Sequence, residues 1–265
     1  MEFVDTHCHP YFDELLTDLN GVLQRAHKAG VNKMICVGVS LEDSRQAIKF
    51  AAGHNNVWAS AGVHPHGAKG FNSQTEDELR ELLNPSTSLG AGGSKIVATG
   101  EIGLDYYRLN SPKEEQLSAL RAQIEIAIQA RLPIIFHVRD AWADFWQVFD
   151  DYQGLRGVIH SFTGGAKQLE QTLSRGLYVA LNGIITFTRD QALLDAAKKM
   201  PLDKLVLETD APFLTPATDK GQVCEPRHVR MVAEFLAELR VENLKEIASI
   251  TTTNAEDLFG LVNKK

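Results

Sequence analysis

Short apolar runs alternate with longer amphipathic stretches along the whole chain, and this alternation restricts the possible folds more than any other feature. Phe3–Thr6, Lys33–Val37, Val57–Gly62, Ile96–Thr99, Pro133–Phe136, Gly157–Ile159, Tyr178–Leu181 and Leu205–Leu207 read as strands. These runs are largely apolar throughout, as in strands buried on both faces of a parallel sheet. Helical spacing marks Asp13–Ala29, Leu41–Ala52, Thr75–Leu83, Lys113–Ala130, Ala141–Tyr152, Ala166–Arg175 and Asp190–Lys199, with Arg227–Arg240 and Asn243–Ser249 after the last strand. In Lys113–Ala130, Pro112 suits the first helical position, and Leu117, Leu120, Ile124 and Ile128 recur at three- and four-residue steps. Strand and helix alternate eight times in 265 residues, which matches an α/β (β/α)8 barrel of about 250 residues. A doubly wound open sheet shares that periodicity, but no Gly-rich dinucleotide fingerprint or phosphate-cradling P-loop is present. The expectation is one domain spanning residues 1–265, with the Gly- and Ser-rich stretch Asn84–Lys95 as a surface loop, because the rhythm continues on both sides of it.

Charge and cysteines narrow the class further. Lys+Arg 27 against Asp+Glu 34 gives a net charge of −7, which argues against a protein that coats long duplex through a field of cations. A nucleic-acid enzyme whose positive charge comes from bound metal stays compatible with it. Cys8, Cys36 and Cys224 are odd in number and far apart, so they read as reduced thiols, not as a disulfide or a cysteine zinc site. No secretory signal and no run of about 18 apolar residues is visible. The expected location is the cytoplasm, with no membrane partner and no obligatory protein partner.

The chemistry collects where the apolar runs end. His7 and His9 bracket Cys8 after the first strand and share a face by strand alternation. His64 follows the third strand, Glu101 the fourth, His137 the fifth, His160 the sixth, Asn182 the seventh, and Glu208-Thr209-Asp210 the eighth. Barrel strands present such ends on one face, where barrel active sites lie. His7, His9, His137, His160, Glu101 and Asp210 exceed what one catalytic ion with an open position needs. They suit two divalent ions with Glu101 as a bridging carboxylate, although one ion with supporting residues fits as well. Imidazole with carboxylate accommodates Zn, Mn or Fe, and with water also Mg.

Taken in order, His7-Cys8-His9, Gly62-Val63-His64-Pro65, Gly100-Glu101-Ile102-Gly103-Leu104-Asp105-Tyr106, His137-Val138-Arg139-Asp140-Ala141, His160-Ser161-Phe162-Thr163-Gly164 and Glu208-Thr209-Asp210-Ala211-Pro212 resemble the TatD family of metal-dependent deoxyribonucleases. The resemblance implies a TIM-like barrel of the amidohydrolase superfamily that hydrolyses DNA phosphodiesters, typically from a 3′ end of single strands. It places the metal ligands at His7, His9, Glu101, His137, His160 and Asp210, and makes His64 a substrate or phosphate contact. Two positions depart from it. Gln222-Val223-Cys224-Glu225-Pro226 stands where many relatives carry Arg-Asn-Glu-Pro, which puts strand contacts of that loop in question, and Ser161 stands where Cys is common.

In this reading a metal-activated water attacks phosphorus, with Asp210 as general base and Glu101 as the second catalytic carboxylate. Arg139 shares the face of His137 and suits a phosphate or an ion pair with Asp140. Asp105, Tyr106 and Tyr107 are expected in a loop after Glu101, with Asp105 a substrate contact and the tyrosines either stacking a base or packing the rim. Asn182 and Glu208 are expected to contact substrate or to support the ligands. A lactone, ester or aminoacyl-tRNA hydrolase is the main alternative, and a barrel that binds without catalysis is a second.

Overall fold

In the computed structural model residues 1–84 and 95–261 are described, so the loop expected at Asn84–Lys95 lies, except for its two ends, outside the described residues. The chain falls into two compact units, one of Met1–Cys36 with Ser161–Gly260 and one of Val37–His160 with Leu261.

The first unit contains β1 (Phe3–Cys8), α1 (Asp13–Leu16), α2 (Leu19–Lys28), β2 (Val31–Val37, whose last residue belongs to the second unit), α7 (Ala166–Ser174), β7 (Tyr178–Leu181), α8 (Gln191–Lys199), β8 (Leu205–Leu207), α9 (Val229–Arg240) and α10 (Leu244–Phe259). β1 pairs parallel with β2, Asp5 opposite Met34 and Cys8 opposite Cys36, and β7 pairs parallel with β8. The chain just beyond β8 also pairs parallel with the end of β1. Asp210 N–H donates to His7 O at 2.8 Å and His9 N–H to Ala211 O at 2.7 Å. The first strand therefore lies between the second and the last, as in the connectivity of a barrel.

The helix expected at Asp13–Ala29 is two helices. Asp18 leaves helical geometry (φ −137°) and its carboxylate accepts from Arg25 Nη1 at 2.9 Å. α10 extends past the expected Ser249 to Phe259, because Thr251 returns its hydroxyl to Ile247 O at 2.8 Å, and Gly260 ends the helix at φ 65°.

The second unit holds α3 (Leu41–Ala52), β3 (Val57–Ala61), α4 (Ser73–Leu83), β4 (Ile96–Asp105), α5 (Lys113–Ala130), β5 (Ile134–Arg139), α6 (Trp142–Asp150) and β6 (Gly157–His160). β3, β4, β5 and β6 pair parallel in chain order, without the strand-order reversal of a doubly wound sheet. β4 runs six residues past the expected end at Thr99, through Glu101 to Asp105. Its glycines look like breakers in sequence, but one makes the pairing possible. A Cβ on Gly103, at φ 155°, would lie 1.8 Å from His137 O of β5. His137 in turn stands opposite His160, and Asp105 opposite Arg139.

Behind this sheet Phe136 meets Phe145 edge-on at 5.1 Å between ring centres. On α5 the expected stripe is half right. Leu120 and Ile124 are buried, but Ile128 is 44% exposed, and Gln116 and Gln123 take places on the inward face. Pro112 caps the helix and does not begin it.

Asp5, fully buried on β1, ties the first unit together. Its carboxyl accepts from Thr209 N–H at 2.9 Å, Thr209 Oγ1 at 2.6 Å and His7 N–H at 3.3 Å. Burial nevertheless pushes its pKa up to about 8, with Glu208 adding to the rise. The folded chain therefore holds a proton that the unfolded chain releases. That contribution is complete below the ordinary carboxylate pKa and is lost as pH rises through the folded value. In metal-free protein the melting temperature of Asp5→Asn, which imitates the protonated acid, should lack the part of the wild-type decline that falls between about pH 5 and pH 8. Parallel melting curves for the two proteins across that range would remove the assignment.

Candidate metal centre

In the first unit, the end of β1 and the segment after β8 bring three predicted ligands together. Asp210 Oδ1 lies 3.5 Å from His7 Nε2 and 3.4 Å from His9 Nε2. Asp210 adopts φ 62°, a left-handed conformation that costs a residue other than glycine roughly 1–2 kcal/mol. The hydrogen bond to His7 O holds it there, with its carboxylate directed at the two rings. The ring of His9 stacks on Phe12 at 4.9 Å and 18° between planes.

Glu208 and Asn182 also meet. Asn182 Nδ2 donates to Glu208 Oε1 and to Ser161 Oγ, both at 3.0 Å, and Ser161 N–H donates to Glu208 Oε1 at 2.8 Å. The hydroxyl of Ser161 is thus an acceptor in a buried network, and Asn182 additionally caps the following turn through Ile184 N–H at 3.1 Å.

The second unit gathers Glu101, His64, His137 and His160. Glu101 Oε1 lies 2.6 Å from His137 Nδ1, 3.4 Å from His64 Nε2 and 3.7 Å from His160 Nε2. Burial raises the pKa of Glu101, but His160, His64 and His137 overcome that and hold it well below the usual carboxylate range. His64 moves the other way, since burial lowers it to about 4 and leaves its ring neutral. Its Nδ1 accepts from His66 N–H at 3.1 Å, so the hydrogen of the neutral ring resides on Nε2.

Asp105, expected in a loop as a substrate contact, is the last residue of β4 and is fully buried. One carboxylate oxygen accepts from Tyr107 N–H at 2.9 Å and Arg108 N–H at 2.8 Å. The other lies 3.2 Å from His137 Nε2 and 3.0 Å from His66 Nε2. Burial pushes Asp105 up, yet these bonds from His137, the Arg108 N–H and His66 keep it ionised far below its ordinary range. Both carboxylate oxygens thus have protein partners at the position where a substrate contact was expected. Arg139, at the exposed end of β5, places its guanidinium 4.0 Å from the centre of the Tyr107 ring, and no ion pair to Asp140 forms.

Two positioning residues carried no signal in the sequence reading. Gln116 accepts from Asp105 N–H at 2.8 Å and donates to Asp105 O at 3.0 Å. Gln123 accepts from Val63 N–H at 2.7 Å and donates to Val63 O at 3.0 Å. Each glutamine clamps backbone next to or at a site residue, His64 or Asp105. Two amides seven residues apart on the apolar side of one helix were the available clue.

Neutral or shareable imidazoles beside ionised carboxylates are the donors a divalent transition metal takes. Glu101 Oε1 has His137 Nδ1 at 2.6 Å and His160 Nε2 at 3.7 Å beside it, and Asp210 Oδ1 has His7 Nε2 at 3.5 Å and His9 Nε2 at 3.4 Å. The residues present therefore fit a metal.

The sequence profile of the family described as TatD related DNase matches residues 4–260. The chain is 36% identical over 257 residues to the uncharacterized metal-dependent hydrolase YabD of Bacillus subtilis, covering 96% of this chain and 98% of that one. It is 35% identical over 251 residues to the 3′–5′ ssDNA/RNA exonuclease TatD of Shigella flexneri, covering 92% and 94%. Among solved structures, YJJV, a TatD homologue from Escherichia coli K12, superposes with a TM-score of 0.89 at 32% identity over 97% of this chain and 98% of that one. A TatD family hydrolase from Entamoeba histolytica gives 0.88 at 26% identity over 99% of both. These likenesses show the fold to be the (β/α)8 barrel.

Because Asp105 fixes the ring of His137, Asp105→Asn should weaken binding of Mn or Zn by about 10- to 100-fold, read by calorimetric titration of chelator-treated protein. Unchanged affinity would mean that this carboxylate only braces the loop after it.

Proposed function

Since the chain belongs to the TatD related DNase family and is a metal-dependent hydrolase acting on phosphodiesters, we propose that it is a 3′–5′ exonuclease on single-stranded DNA or RNA ends. The observation that carries this reading is Glu101, a buried carboxylate kept ionised on the fourth strand among His64, His137 and His160. Two divalent ions (Mg, Mn or Zn) with His7, His9, Glu101, His137, His160 and Asp210 as ligands complete the proposal. When bound, such ions supply Lewis-acid charge and an acidified water.

The chain's own groups account for the remaining steps. Asp210, whose carboxylate is directed at His7 and His9, accepts the proton of the attacking water. His64, neutral and carrying its hydrogen on Nε2, donates to a phosphate oxygen without adding a charge that would compete with a cation. Glu208 accepts from Ser161 N–H and Asn182 donates to the Ser161 hydroxyl, and so together they fix the residue that follows His160 in the chain. The named activity of the Shigella relative supports the polarity and the single-stranded substrate.

A lactone or ester hydrolase of the same superfamily remains the second reading. A carboxylate on the fourth strand, where many of those enzymes carry a modified lysine, favours the nuclease. We further propose a cytoplasmic location, in keeping with three free buried thiols. No helix among the described residues is long and apolar enough to cross a membrane.

A 5′-labelled single-stranded oligonucleotide with Mg or Mn should shorten stepwise from its 3′ end. Glu101→Ala should abolish this, and Asp210→Asn should lower turnover by about 10²- to 10⁴-fold with substrate affinity kept. Hydrolysis of esters or lactones by metal-loaded protein that leaves oligonucleotides intact would overturn the assignment.

A further inference from the structure

The turn after β4 and the end of β5 carry a feature that the metal chemistry does not use. Tyr107 is 60% exposed, among the most exposed large hydrophobic side chains of the described residues. Arg139 lies 4.0 Å from its ring centre and Arg108 lies 5.8 Å from it. Among the described residues, neither guanidinium makes an ion pair or side-chain hydrogen bond with a carboxylate. Of the other arginines of the same unit, Arg45 is paired with Glu78, Arg80 with Glu76 and Arg121 with Asp151, while Arg131 and Arg156, like Arg108 and Arg139, have no carboxylate partner among the described residues but rest on no aromatic ring. Two unneutralised guanidiniums on one exposed aromatic ring, in a chain of net charge −7, form a local site for an anion that also has a flat face.

The neighbouring Tyr106 shows the contrast. Its hydroxyl donates to Asp144 at 2.7 Å, Lys113 Nζ lies 4.0 Å from its ring centre, and it is half-buried. Asp144 and Glu114 supply negative charge around it. Tyr106 is therefore part of the scaffold, whereas Tyr107 faces outward with two guanidiniums against its ring.

The position of this pair is fixed from both sides. Tyr106 N–H donates to Arg139 O at 2.9 Å, and Asp105 accepts from the N–H groups of Tyr107 and Arg108 with the same carboxylate that orients His137. Arg139 follows His137 by two residues on β5 and so leaves the same face of the strand. The ring and its guanidiniums thus adjoin the Glu101–His137 cluster.

We propose that Tyr107, Arg139 and Arg108 form a subsite for an unpaired nucleotide next to the scissile bond. The guanidinium forks take the phosphate, and the exposed stack of ring and guanidinium takes the base. The subsite rests on the nuclease reading for its substrate class. Stacking of this kind tolerates any base and requires it to be unpaired, so the subsite also accounts for a preference for single strands over duplex.

The test is fluorescence anisotropy of a labelled short oligothymidylate on the full chain, with chelator present to prevent cleavage. A duplex of the same length and inorganic phosphate serve as competitors. Tyr107→Leu should raise Kd for the single strand by about 5- to 100-fold. Arg139→Gln and Arg108→Gln should each flatten the dependence of log Kd on log salt by about 0.7. In the cleavage assay all three should raise KM. Variants that match wild type in Kd and salt slope overturn the subsite while wild-type cleavage leaves the nuclease standing. Binding that these variants weaken, without any cleavage by metal-loaded wild type, keeps the subsite and removes the nuclease. Equal affinity for duplex overturns the unpaired-base assignment, and a wild-type chain that neither binds nor cleaves removes both.

Discussion

Glu101 sits in a place where an isolated carboxylate would take up a proton. Removing a charge from water costs several kcal/mol unless charge and hydrogen bonds replace the solvent, and three imidazoles do so here. Much of Val37–His160 can be derived from that requirement. Gly103 lets β5 approach β4 closely enough to pair His137 with the Glu101 strand. Asp105 holds the far nitrogen of His137, and Gln116 holds the backbone of Asp105. Gln123 holds Val63 beside His64. Neutral His64 and ionised Glu101 then coexist at 3.4 Å, because burial acts on them in opposite senses and only Glu101 has cationic compensation.

The strands and the polar residues that gather at their ends were legible because they obey one-dimensional rules. Buried parallel strands write themselves as apolar runs, and a candidate ligand at the end of such a run is the first polar residue after it, as with His137 after Pro133–Phe136 and His160 after Gly157–Ile159. What was not legible depends on partners distant in sequence. β4 seemed to end at Thr99 because glycine is a poor strand former in isolation, yet the carbonyl of His137 makes Gly103 necessary. Ile128 kept helical spacing and still faces solvent, because the inward face of α5 is centred on two glutamine amides that satisfy the backbone of Asp105 and Val63. Asp105 looked like a loop residue free to meet substrate, and its four internal partners come from three different segments. Asp5 carried no signal at all. Its main partner is Thr209, more than two hundred residues away.

The altered loop can be judged on the same terms. Glu225 is tied internally, to Arg25 Nε at 2.8 Å and Arg25 Nη2 at 3.0 Å, and to Arg227 Nε at 3.2 Å. Arg227 is shared further with Asp219 at 2.8 Å, and Cys224 is fully buried. Replacement of the preceding Arg and Asn by Val223 and Cys224 therefore leaves the anchor of the loop intact but gives it no free guanidinium. A chain of net charge −7 that acts on a polyanion must hold its cations where carboxylates do not neutralise them. At this loop Arg227, and Arg25 of α2 packed against it, are consumed by Glu225, Asp219 and Asp18. At the ends of β4 and β5 the cations instead rest on an aromatic ring, whose quadrupole holds a guanidinium in place without cancelling its charge. That difference in partner, ring in one place and carboxylate in the other, leaves Arg108 and Arg139 with charge to offer a phosphate and the loop arginines with none.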